Sequence, residues 1–140
     1  MSDGAPQRVG GFRRWASALH VLLACLIVVG VAVQVYLIGA YMFGAGKGAL
    51  DAHKAVGFAL HSGEILLLLL ALAAWLPKGD LWLSVALGVV GTAQIALAGA
   101  DKWAGGLHPL FALIVLALSF ALAERGVRRV RSAPRFALVT

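Results

Sequence analysis

Four histidines, two glutamines and one glutamate within an apolar run are the residues whose types and spacing allow chemistry. His53, Gly57, His61 and Glu64 follow one another at intervals of four, four and three, which puts them in one helical stripe of about 80°. His108, Ala112, Val115 and Ser119 make a second stripe. His20 and Gln34 share a face of an earlier segment, and Gln94 stands in a later one. Two neutral imidazoles from two helices can ligate one metal centre axially, haem iron being the usual case. His53 and His108 are the expected pair. Gly57 and Ala112, one turn along from each, would leave room for the edge of a flat ring. Gln34 and Gln94 would orient the ligands or the propionates from outside the coordination sphere. Lys54, with Lys47 and Lys102, would pair with the propionates.

The remaining polar residues support a different chemistry. Ionisable groups are expensive in hydrocarbon and default to functional candidates. Glu64 falls about halfway along its apolar run, so it is expected neutral or paired. With His61 it would form a hydrogen-bonded proton or quinone site. His20 and His61 differ in depth by about 9 Å at helical rise, which argues against a second two-histidine centre. Each residue also has a plain role. A histidine at a helix end can anchor at the interface, the glutamines can hydrogen-bond across helices, and the glycines can permit close contact. On that reading the chain is a cofactor-free interaction or assembly subunit.

The elements that must carry these residues are membrane spans. The chain is 61% hydrophobic and 13% charged, against about a quarter charged in soluble domains, and 140 residues cannot hide that much apolar surface from water. Four apolar runs, about residues 15–40, 52–76, 81–100 and 107–123, each approach the roughly 20 residues needed to cross a bilayer. Their lack of alternation predicts helices, not barrel strands. The expected fold is an all-α membrane four-helix bundle, with residues 1–14 and a basic, mostly irregular tail at 125–140 flanking it. Pro77, Lys78, Gly79 and Asp80 are expected to form the turn between the second and third spans. The first run is longer than a signal-peptide core and is expected to be retained.

Charge sets the orientation. Arg8, Arg13, Arg14, Lys78, Arg125, Arg128, Arg129, Arg131 and Arg135 fall on one side, and Lys47, Lys54 and Lys102 on the other. The arginine-rich side is expected to be cytoplasmic, with both termini there, in a cell (inner) membrane. Trp15, Trp75, Trp82 and Trp103 mark the span ends as an aromatic belt. The net charge of +6 flanks apolar spans, which suits anionic headgroups and not nucleic acid. One cysteine, Cys25, excludes a disulfide framework, and no Cys-x-x-Cys-His occurs for covalent haem attachment.

The third span also repeats the first. Val33 to Ala40 aligns with Ala93 to Ala100, with Gln, Leu, Gly and Ala coincident. After loops of different length, the copies continue as His53-Lys54-Ala55-Val56-Gly57 and His108-Pro109-Leu110-Phe111-Ala112. The unit is a helical hairpin used twice in the same orientation, so a pseudo-twofold axis along the membrane normal is expected. That axis would set His53 opposite His108 near the outer surface.

On Gln-x-x-Leu-x-Gly-Ala, His53-x-x-x-Gly57 and Leu107-His108-Pro109, the chain resembles a family of small four-helix bacterial membrane proteins of unassigned function, over about residues 15–125. More loosely, it is similar to one four-helix half of haem A synthase, or to a minimal membrane b-type cytochrome. Those families hold haem between histidines on antiparallel bundle helices. The resemblance implies haem b, iron held by His53 and His108, and electron transport or haem handling. The chain departs from the pattern at Lys54, where an arginine often follows the histidine, and only Asp51 approximates the acidic residue of haem A synthase. With no substrate domain, a membrane redox or assembly partner, or homo-oligomerisation, is expected.

Overall fold

The computed structural model describes residues 5–132, with side-chain surroundings from Gly10 onward. Its elements are α1 (Ala5–Met42), α2 (Lys47–Ala73), α3 (Lys78–Ala98), the single-turn α4 (Lys102–Gly105) and α5 (His108–Ser132). α1, α2, α3 and α5 are each long and apolar enough to cross a membrane. Only 17–22% of the residues in their apolar windows are buried inside the bundle, so most apolar side chains point outward. Water would penalise that surface heavily, and lipid does not. By length and composition this is a multi-pass membrane bundle.

Two boundaries differ from the sequence reading. α1 begins at Ala5 and α5 runs on to Ser132, so much of each flanking segment is helical. In α5 the arginines are good helix formers and suit the C-terminal end of the dipole, and Arg128 bonds Glu124 one turn back at 2.5 Å. The tail is therefore not irregular before Ser132. Residues 1–4 and 133–140, including Arg135, and the surroundings of Arg8 lie outside the described residues.

The turn after α2 is also displaced. Trp75 carries it, with φ of 53°: its N–H bonds Leu72 O at 3.0 Å and the Leu76 N–H reaches Ala71 O at 3.0 Å. This is a left-handed C-terminal reversal in which glycine is the usual occupant, and a bulky residue there costs about 1–2 kcal/mol. Pro77 then precedes α3 in an extended conformation. Gly79 and Asp80 consequently belong to the first turn of α3, where a carboxylate suits the dipole.

The helices form a ring. α1 packs on α2 and α5, and α3 packs on the same two, so α1/α3 and α2/α5 are the diagonals. Two hairpins related by an axis down the bundle give this arrangement. The core is a narrow column including Ala24, Ile27, Val31, Leu67, Leu87, Val115 and Leu122. Five polar residues, His20, Glu64, Asp80, Ser84 and Ser119, are buried with it. The two serines bond back to carbonyls of their own helices, at 2.9 Å from Ser84 to Asp80 O and 2.7 Å from Ser119 to Val115 O, which removes the cost of burying a hydroxyl.

Candidate functional site

The diagonal brings His53 of α2 and His108 of α5 together. Their ring centroids are 6.3 Å apart and their planes are inclined at 70°. His53 Nδ1 bonds the main-chain oxygen of Gln34 at 3.1 Å, and His108 Nδ1 bonds that of Gln94 at 3.0 Å. The two glutamines stand sixty residues apart and do the same work in each hairpin. The repeat is thus expressed in hydrogen bonding as well as in sequence.

A carbonyl oxygen only accepts, so each Nδ1 must carry its proton, and each Nε2 keeps a lone pair when the ring is neutral. Neither Nε2 has a hydrogen-bond partner among the described residues. Two neutral acceptors cannot bond one another, so each Nε2 is open to a donor or a Lewis acid. A metal centre held between the two rings would fit the spacing. Two metal–nitrogen bonds of about 2.0–2.1 Å, plus about 1 Å from each nitrogen to its ring centre, require centroids roughly 6 Å apart.

The surrounding residues depart from the sequence reading in one respect. A Cβ on Gly57 would lie 2.7 Å from Gln34 Nε2, so the recess expected to admit a ring edge is taken by the Gln34 amide. Gln34 Oε1 is buried without a hydrogen-bond partner. Gln34 therefore orients His53 through its main chain, while its side chain fills the space beneath. Ala112 and Gln94 are half-buried, and Lys47, Lys54 and Lys102 are exposed. Among the described residues, no group of three or more His, Cys, Asp or Glu is placed to hold a metal ion. The candidate donor set is the two imidazoles.

His61 and Glu64 meet as their i,i+3 spacing requires. His61 Nδ1 lies 3.0 Å from Glu64 Oε2, and the glutamate side chain is 4% exposed. The carboxyl lies against the backbone of Gly91 in α3, in the space that a Cβ there would occupy. Gly91→Ala should therefore destabilise the bundle by about 1–3 kcal/mol through overpacking. Adding Glu64→Ala should remove the obstruction and recover part of that loss. Thermal unfolding of the two single variants, the double variant and the parent measures the coupling, and strictly additive losses would reject the contact.

Sequence reasoning missed the group at the other end. Asp80, 2% exposed, is ion-paired with both Arg125 and Arg129. Its neighbour Ser84 gives its proton to Asp80 O, so the 3.2 Å contact between His20 Nε2 and Ser84 Oγ must be donated by the histidine. That leaves His20 Nδ1 as a buried lone pair without a partner, as Arg129 Nη1 is a buried donor without one. A signal was present: Asp80 is the repeat counterpart of His20, and Arg125 and Arg129 stand one turn apart. They read as topology charges because nothing local tied them to a carboxylate 45 residues away. His20 is thus engaged by Ser84, and His61 by Glu64.

Comparison with family models, curated proteins and solved structures finds no match for this chain.

Proposed function

We propose that the protein is a membrane haem-b protein, an electron-transfer or haem-handling subunit in which His53 and His108 would hold the iron. The observation that carries this reading is the matched pair of imidazoles: each is held by its own hairpin with Nδ1 to a carbonyl and Nε2 without a partner among the described residues, the ring centroids 6.3 Å apart. Bound there, haem iron would supply reversible one-electron exchange. The chain's own part is to fix two tautomers, to exclude water with the apolar column below, and to keep the rings on rigid helices. The Gln34 amide would swing out of the Gly57 recess to admit the macrocycle. Lys54 and its rim neighbours would face the propionates. With the arginine-rich end cytoplasmic by the charge rule, the site would lie toward the outer leaflet of a cell membrane. A redox or assembly partner would supply or take the electron.

The test is a reduced-minus-oxidised absorption spectrum of the protein purified in detergent after expression with added haem precursor. A low-spin b-type spectrum with one haem per chain is expected. Absence of a Soret band, even after titration with haemin, would reject the reading.

A second reading rests on the 3.0 Å contact between His61 and Glu64. Such a pair at membrane depth can accept and pass a proton, and His61 is partly exposed. It predicts a quinone- or proton-linked protein with no haem spectrum, in which Glu64→Gln abolishes turnover. Without either chemistry the buried polar residues are packing elements of an assembly subunit.

A further inference from the structure

We infer that the arginine end carries a binding site for the phosphate of an anionic phospholipid, seated between the start of α1, the α2–α3 turn and the end of α5. A cleft of about 740 Å³ opens there, lined by Arg13, Arg14, Ser17, Trp75 and Arg129 among others. Three guanidiniums around one hollow is an unusual concentration in a chain with so few charges. Guanidinium is the side-chain group suited to bidentate recognition of phosphate oxygens.

The cleft is built, not merely charged. Arg13 Nε donates to Ala74 O at 3.3 Å, and its guanidinium lies over the Trp75 ring, 5.2 Å from the centroid. That anchoring fixes the plane of the fork and leaves both terminal nitrogens for a ligand. Trp75 is held in the left-handed conformation that glycine would adopt without penalty; residues kept in such conformations cluster at ligand clamps. On the inner wall, Arg129 commits Nη2 to Asp80 and keeps Nη1 as a buried donor with no partner. Among the described residues neither Arg13 nor Arg14 is ion-paired, so the Asp80 charge is spent on Arg125 and Arg129 while the mouth stays cationic.

The depth of the cleft selects a lipid over a free phosphate. Phe12 and Trp15, with centroids 6.5 Å apart, and Trp75 are all strongly exposed. Aromatic side chains in that state mark the headgroup level of a bilayer. A phosphate bound among them has its acyl chains beside the outward apolar faces of α1 and α2. Basic pockets between helices at this level are a recognised form of lipid site.

The experiment compares phosphatidylglycerol with phosphatidylcholine of the same chains, added to the detergent-purified full chain, by native mass spectrometry and thermal unfolding. The parent protein should retain one phosphatidylglycerol and no phosphatidylcholine. Arg13→Gln and Arg14→Gln should each weaken retention about five-fold, and together about 25-fold. Arg128→Gln with Arg131→Gln removes the same charge from the same end outside the cleft, and should leave retention intact. Equal loss in that control, or equal retention of phosphatidylcholine, would overturn the site in favour of diffuse surface charge. Full displacement of the lipid by excess inorganic phosphate, with the same thermal stabilisation, would overturn the lipid assignment. Arg14 makes no side-chain hydrogen bond among the described residues, so Arg14→Gln alone keeps the test valid should Arg13→Gln fold poorly.

Discussion

His53→Ala and His108→Ala should each eliminate the low-spin haem spectrum and lower haem affinity by more than about 100-fold, beyond the 10- to 100-fold typical for losing an outer-shell partner. The equivalence of the two losses is the sharp part. Each imidazole is fixed by the same bond to a glutamine carbonyl, so neither would be a spare ligand, and removing one would leave a single imidazole to hold the iron. His20→Ala should leave the spectrum intact, since its ring is tied to Ser84 at the far end of the bundle. Gln34→Ala is the informative control. It deletes the amide but keeps the main-chain oxygen that holds His53, and it vacates the Gly57 recess. Haem binding should therefore be retained or tightened, whereas a side-chain role for Gln34 predicts a loss. Absorption and magnetic-resonance spectra of the four variants, each checked for helical content, decide the matter. A His20→Ala loss with an intact His53→Ala spectrum would assign the ligands elsewhere.

Asp80→Asn is expected to be the most destabilising polar substitution in the bundle. Asp80 is almost wholly buried and faces Arg125 and Arg129. Breaking a buried ion pair by removing one partner costs about 3–5 kcal/mol, because the remaining charge stays desolvated. Here the low end, about 3 kcal/mol, is appropriate: Arg125 is half exposed and can turn toward headgroups. Arg129 is the more enclosed of the two and carries most of the penalty. Thermal unfolding in a mild detergent should report the loss. Arg125→Gln should cost less than half as much, since Arg129 still neutralises the carboxylate. If Asp80→Asn matches the parent within 0.5 kcal/mol, the scale of an ordinary surface substitution, the pair contributes nothing net to stability.

Both predictions concern residues that the sequence displayed unequally. The histidine pair was legible because the repeat supplied a symmetry argument: two copies of Gln followed by His, in hairpins of one orientation, can only meet across an axis. Its tautomers were not legible. They depend on which carbonyl lies opposite each Nδ1, and a main-chain acceptor leaves no trace in side-chain identity. Gly57 was only partly legible for the same reason. A missing Cβ signals close approach, and the sequence does not say whether a cofactor or the Gln34 amide makes it. Asp80 stood in a stretch whose Pro and Gly signalled a turn, while the reversal itself fell on Trp75, a residue with no local preference for it.

Length, hydropathy and the placement of arginine and lysine were sufficient by themselves to determine four spans and their helical state, and the coincident Gln, Leu, Gly, Ala and His marked the hairpin repeat. Those properties follow from one-dimensional quantities: the roughly 30 Å hydrocarbon thickness sets span length, and backbone satisfaction in lipid forces helices where barrels are excluded. Tertiary structure alone decided the rest. The ring order made α2 and α5 a diagonal, and helix rotation set each histidine Nδ1 on a glutamine carbonyl. The approach of α3 to α2 at Gly91 gave Glu64 its seat. The last turns of α5 met Asp80 at the start of α3, and Arg129 there lines the arginine cleft. Each depends on the rotation and close approach of neighbouring helices, which small residues at contacts permit but periodicity does not encode.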